Sequence, residues 1–189
     1  MVRAFRSSLL ALPLLASGCL VTAGPVTYDP TQSPPMIVES ALNPDPRSIL
    51  LIGGDEGMSE FGITASVVSE DLDDDVRVAL YVDYGYTNAL GQPFRFALPT
   101  FPELPAATLA DGPRPLVGVR WVDGTFPMQP GCHRLTLIAT HAFDTASGCP
   151  KNLNDSSQVT WHFRQCDVGA CPATLEECPA ADATCPLEP

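Results

Sequence analysis

Between residues 60 and 165 the chain keeps returning to one rhythm, an apolar side chain at every second position. Phe61, Ile63, Ala65 and Val67 share one face of a strand, with Gly62, Thr64 and Ser66 on the other. Val76, Val78, Leu80 and Val82 then alternate with Arg77, Ala79, Tyr81 and Asp83. Phe94, Phe96 and Leu98 repeat the pattern, as do Val117, Val119 and Trp121. "RLTLIATHAF" (134–143) and "SQVTWHFRQ" (157–165) continue it, while "PMIVES" and "RSILLI" add one or two strands near residues 36–52. A period of two is the mark of half-buried strands. Twenty prolines, many of them between these runs, leave little room for helices. About seven short strands separated by turn residues predict an all-β, antiparallel sandwich over residues 36–166. The same local pattern also suits a barrel.

The last two strands invite a register. If Leu135, Leu137 and Ala139 face the core with Val159, Trp161 and Phe163, pairing Leu137 with Trp161 sets Cys132 opposite Cys166. Directly opposed residues of an antiparallel pair lie about 4.5–5.5 Å apart at Cα, within reach of a disulfide. Core phase and thiol pairing thus predict a Cys132–Cys166 bond, with Cys149 near the loop at the far end of the hairpin.

Around this middle lie two segments with little to bury. Residues 19–35 include the proline-rich "VTAGPVTYDPTQSPP", read as an extended, semi-rigid spacer. Residues 167–189 form a cysteine-rich, irregular tail with Cys171, Cys178 and Cys185. If all thiols pair within the chain, one tail cysteine must reach Cys149. Crossing roughly 30 Å takes about 9 extended residues, so Cys178 or Cys185 reaches it more easily than Cys171.

Residues 1–18 have a basic start, Arg3 and Arg6, and then an apolar stretch from Leu9 to Leu15. That stretch is too short to span a bilayer and suits a secretory signal. It ends in Ala16-Ser17-Gly18-Cys19, which resembles the lipobox of bacterial lipoproteins, with Ala16 where that family usually has leucine. The resemblance implies cleavage before Cys19 and acylation of its thiol. Leu20, in place of an aspartate, implies the outer membrane of the cell envelope. The alternative is an ordinary signal peptide with Cys19 in a disulfide. Setting Cys19 aside leaves six cysteines, an even number, and an exported chain uses such sets for disulfides.

"PGCHRLTLIATHAFD" (130–144) is similar to the penultimate strand of bacterial immunoglobulin-like and PKD-like domains. The resemblance covers one strand and implies an immunoglobulin-like sandwich, a fold used as spacer, adhesive module or assembly part. Fold likeness alone transfers no function.

Charge narrows the partners. The formal charge is −12, and losing Arg3 and Arg6 with residues 1–18 takes it to −14. Nucleic acid is excluded as a partner, since binding it depends on Lys and Arg. The membrane is reached through the lipid anchor, and the remaining expectation is a protein or glycan partner in the envelope.

Candidate chemistry is sparse. Glu70, Asp71, Asp73, Asp74 and Asp75 could offer oxygens to calcium, yet they lack the spacing and central glycine of an EF-hand loop. His133 and His141 share the core parity but stand about 27 Å apart along one strand, too far to chelate one ion. His162 has the opposite parity. No G-x-S-x-G elbow marks a serine nucleophile, and "LIGGDEG" (51–57) lacks the Lys-Ser/Thr of a phosphate loop. The expectation is a lipid-anchored envelope protein with a non-catalytic binding or structural role and no cofactor. A calcium-dependent or carbohydrate-binding surface module ranks second, and an envelope hydrolase third.

Overall fold

The computed structural model describes residues 33–55, 57–98, 101–124 and 128–166 together with Cys178 and Cys185, and for residues 117–119 the backbone alone. Eight strands follow the rhythm of the sequence. They are β1 (Met36–Ile37), β2 (Ile49–Ile52), β3 (Glu60–Val68), β4 (Arg77–Val82), β5 (Phe96–Ala97), β6 (Arg114–Val122), β7 (Gly131–Thr140) and β8 (Ser156–Gln165). Among the described residues the helical elements are three short 3-10 turns, at Glu39–Ala41, Leu109–Asp111 and Leu153–Asp155.

The strands divide into a three-stranded sheet, β1-β3-β6, and a five-stranded sheet, β2-β8-β7-β4-β5. All neighbours are antiparallel except β2 and β8, which run parallel. The exception follows from the N-terminal path. β1 pairs with β3, and then the chain crosses to the other sheet through the Glu39–Ala41 turn and a cis Asn43–Pro44 peptide. It arrives beside β8 still running the same way. Trp161 holds the crossing in place, its indole N–H donating to the Pro44 carbonyl at 2.6 Å.

Inward positions from both sheets meet in one core. Phe61, Ile63, Ala65 and Val67 of β3 face Val78, Leu80 and Val82 of β4, Leu135, Leu137 and Ala139 of β7, and Trp161 and Phe163 of β8. Trp121 on β6 spans the layers, with its ring 6.1 Å from Phe61 and 5.3 Å from Phe163. β6 lies at a sheet edge and carries features that blunt edge pairing, namely Pro115, Arg114 and Arg120, and a bulge opposite Ile63–Ala65.

The expected alternation is broken on β4, where Ala79 and Tyr81 are buried as well. A second cluster covers the outer face of the five-stranded sheet. Phe94 stacks on Tyr81 at 4.4 Å, with Ile138, Tyr84 and Phe143 alongside. The turn after β7 folds back over this cluster, and the Tyr81 hydroxyl donates to the Gly148 carbonyl at 2.7 Å. A β-carbon at Gly148 would stand 2.7 Å from the Phe94 ring, and its φ of +72° is strained for other residues.

The β7–β8 register differs from the expected one by two residues. Leu135 lies opposite Trp161, Leu137 opposite Val159, and Cys132 opposite Arg164. A slip of two leaves every side chain on its expected face, so core parity cannot distinguish the two registers. The outward face can, because Thr136 and Thr160 stand opposite each other with hydroxyls 3.0 Å apart. The expected Cys132–Cys166 bond is accordingly corrected. Cys132 bonds Cys178 and Cys149 bonds Cys185, while Cys166 is also in a disulfide. Cys185 is one of the two tail thiols that chain reach favours for Cys149. Cys19 and Cys171 lie outside the described residues.

Two outcomes follow from this packing. Leu137→Ala should lower the unfolding free energy by about 2–5 kcal/mol in a denaturant titration, because Leu137 is fully buried. Gln158→Ala, exposed on the adjacent strand, should stay within about 0.5 kcal/mol. Non-reducing peptide mapping should recover the Cys132–Cys178 and Cys149–Cys185 pairs, and a Cys132–Cys166 peptide would contradict the observed register.

Candidate functional site

β7 is the middle strand of the five-stranded sheet, and a histidine stands at each of its ends. Both share the parity of Leu135, Leu137 and Ala139, so both rings point inward and are buried. A polar ring in such a place needs partners, since burying an unpaired polar group is costly.

At the start of β7, the His133 ring packs 5.4 Å from Phe163. Its Nδ1–H donates to Asp83 Oδ2 at 2.9 Å and its Nε2–H to the Gln129 carbonyl at 2.8 Å. Both neighbours are acceptors only, so the doubly protonated ring satisfies both. Asp83 follows β4 with a φ of +51°, and the same carboxylate accepts from the Arg95 Nε–H at 2.9 Å and the Arg134 backbone N–H at 3.0 Å. Burial pushes the Asp83 carboxyl up, but the His133 hydrogen bond and charge, the Arg134 N–H and Arg95 outweigh it and hold it below the usual range. For His133, burial works toward a lower value, and the bonds to Asp83 and Gln129 overcome it, so the ring keeps its proton above the ordinary pH.

At the far end, residues from three strand ends converge: Ser69 after β3, His141 after β7 and Asp155 before β8. His141 Nδ1–H donates to Asp155 Oδ1 at 2.7 Å. Its Nε2 lies 3.4 Å from Ser69 Oγ and 3.3 Å from Asp71 Oδ2. Burial raises the Asp155 carboxyl, the nearby Asp71 adds to that, and His141 opposes both.

Serine, imidazole and carboxylate in this order match the chemistry of a nucleophilic triad. The surroundings do not favour turnover. Ser69 is only 3% exposed, its Oγ accepts from the Asp71 backbone N–H at 3.3 Å, and the Asp71 carboxylate shares the Nε2 that a general base would use. As built, the cluster fastens three loops together. A sequence search for a nucleophile elbow passes over it, because its members are spread across 87 positions of the chain, from 69 to 155. The usable signal was the inward parity of His133 and His141, which requires a buried partner for each.

The five acidic candidates do not converge. Glu70 is exposed and accepts from the Ser33 hydroxyl, while Asp71 turns toward His141. Asp73 is exposed, Asp74 half-buried, and Asp75 accepts from the Ala106 backbone N–H at 2.9 Å. Among the described residues no group of three His, Cys, Asp or Glu side chains is arranged to hold a metal ion. His162 is half-buried on the outward face, and burial, with the charge of Arg134, lowers its pKa. Two surface clefts, of about 520 and 420 Å³, are bordered by Glu39, Asp45 and Arg47 and by Glu60 and Arg120. Neither reaches a histidine cluster. No family model, curated protein or solved structure matches this chain.

The His133 cluster should show in the pH dependence of stability. His133 holds its proton more tightly when folded, so its contribution is complete below its ordinary value of 6.5 and is lost as pH rises through the raised folded value. Asp83 behaves oppositely: its contribution is complete above 3.8 and is lost as pH falls through the lowered folded value. Melting temperatures from pH 6 to 9 should therefore decline in the native protein and flatten in His133→Gln. Equal slopes in the two would remove the imidazole from this role.

Proposed function

We propose that the protein is a lipid-anchored component of a bacterial envelope, placed in the outer membrane, whose immunoglobulin-like domain binds or braces a partner without chemical turnover. The observation that carries the reading is the division of the cysteines. One stands in a lipobox-like context at position 19, and all five described cysteines are in disulfides. Stable disulfides belong to oxidising compartments outside the cytoplasm.

The strand order supports the immunoglobulin-like part. The reading assigns β1, β3 and β6 to A, B and E, and β8, β7, β4 and β5 to G, F, C and C′, which sorts these strands between two sheets as in variable-type domains, with no counterpart of D or C″ among the described residues. The parallel β2–β8 pair then corresponds to the switched N-terminal strand of such domains. The segment that resembles their penultimate strand is β7, the second strand from the end. The acidic residues lend little to the calcium-dependent alternative, because they do not share a centre.

A hydrolase reading has one observation in its favour, the Ser69–His141–Asp155 order. A fluorophosphonate probe separates the two. The native protein should remain unlabelled at Ser69, and labelling abolished by Ser69→Ala would favour the hydrolase.

For the anchor, intact-mass measurement of membrane-extracted protein should show added acyl chains on Cys19. Cys19→Ser should move the protein from the membrane to the soluble fraction while leaving its melting temperature unchanged. A soluble native protein with reduced thiols would overturn the proposal.

A further inference from the structure

The loop from Asp83 to Arg95, joining β4 to β5, is held more firmly than its position requires. Its base is the ion pair between half-buried Arg95 and buried Asp83, whose carboxylate His133 also holds. Above the base, the Gly85 N–H donates to the Pro93 carbonyl and the Asn88 N–H to the Gln92 carbonyl. At the tip the Asn88 side-chain carbonyl accepts from the N–H groups of both Leu90 and Gln92, and its amide donates to the Gln92 side chain. Gln92 ties the tip to the neighbouring loop through the Ala146 carbonyl.

What this frame holds up is apolar. Leu90, at the apex, is 84% exposed, and Tyr86 beside it is 39% exposed with the Arg95 guanidinium 4.6 Å from its ring centre. Fixing a loop costs conformational entropy, and a leucine left in water returns none of that cost in the free protein. The return comes on association, where a pre-ordered side chain binds without further loss of freedom. Single exposed apolar residues are ordinary. This one differs in being presented on a turn closed by its own side-chain hydrogen bonds.

Charge identifies the occupant. From Tyr84 to Ala97 there is no carboxylate, and Arg95, the one charge, is matched by Asp83, in a chain of net charge −12. The contact is therefore uncharged, while the body of the molecule repels acidic partners and favours neutral or basic ones. A second copy fits poorly, because it carries the same net charge of −12 and the two bodies repel each other. The loop also lies at the end of the sheets opposite Ser33–Met36, where the described chain begins, since β1 starts beside the end of β3 and β4 runs away from it.

The geometry points to Tyr86–Leu90 as a docking knob for a neutral or basic protein that offers a leucine-sized apolar socket. This inference rests on the binding role proposed above. The experiment is photocrosslinking of the full-length, membrane-borne protein, with p-benzoylphenylalanine in place of Leu90 or, in separate samples, of the exposed Leu72 or Leu109. The partner captured at position 90 is identified by mass spectrometry, purified and titrated against variants. The expected result is one heterologous adduct at 90 that is absent at 72 and 109. Leu90→Asp should then weaken binding at least tenfold, and Asn88→Ala, which keeps the leucine but loosens the turn, should weaken it severalfold. Leu109→Asp should change nothing, and the melting temperature should hold in all three.

An adduct with a second copy or with lipid would overturn the inference, as would Leu90→Asp binding as tightly as the native protein. Adducts at 72 or 109 with none at 90 would overturn it while leaving a binding role intact. Failure at every position would remove both.

Discussion

A strand in the middle of a sheet has no freedom over where its alternate side chains point, and β7 is such a strand. Its core residues oblige His133 and His141 to turn inward, and each buried ring must then find a hydrogen-bond partner. Asp83 and Asp155 answer that demand from the ends of neighbouring elements. Their placement brings the β4–β5 loop to one end of β7 and the acidic loop and the Leu153–Asp155 turn to the other. The disulfides add to the same strand, since Cys132 lies within it and Cys149 in the turn that follows. The architecture is a central strand with fastenings at both ends, around which the looser connections are organised.

The existence of the long strands and the phase of β3 and β7 were legible because burial on one face forces a period of two, whereas Phe94, expected on one face with Phe96 and Leu98, joins the outer cluster instead. Phe61 to Val67 and Val76 to Val82 needed nothing beyond that rule. It could not reveal that Tyr81 and Ala79 would also be covered, since the covering residues, Phe94 and Phe143, come from separate loops. Nor could it fix the hairpin register, because parity repeats every second residue. The coincidence of core phase with a Cys132–Cys166 pairing was attractive and misleading. The thiols bond into the tail, and the threonine pair on the outer face tells the two registers apart.

The histidine clusters were half legible. The parity of His133 and His141 could be read directly, but their partners stand 50 positions before and 14 positions after them, and only the fold brings these together. The acidic stretch shows the converse. Neighbours in sequence suggested a shared centre, and the turn sends them apart, one carboxylate to a histidine and another to a backbone amide.

The parallel alignment of β2 with β8 has a mechanical side. When the chain is pulled at the N-terminal end of β2 and the C-terminal end of β8, the two forces act along the strands from opposite ends. The ladder is then loaded in shear, and its bonds, including the one from the Cys166 N–H to the Ile52 carbonyl, resist together. An antiparallel pair held at the same two termini would peel open one rung at a time. The parallel pair is thereby suited to bear tension applied between those two strand ends.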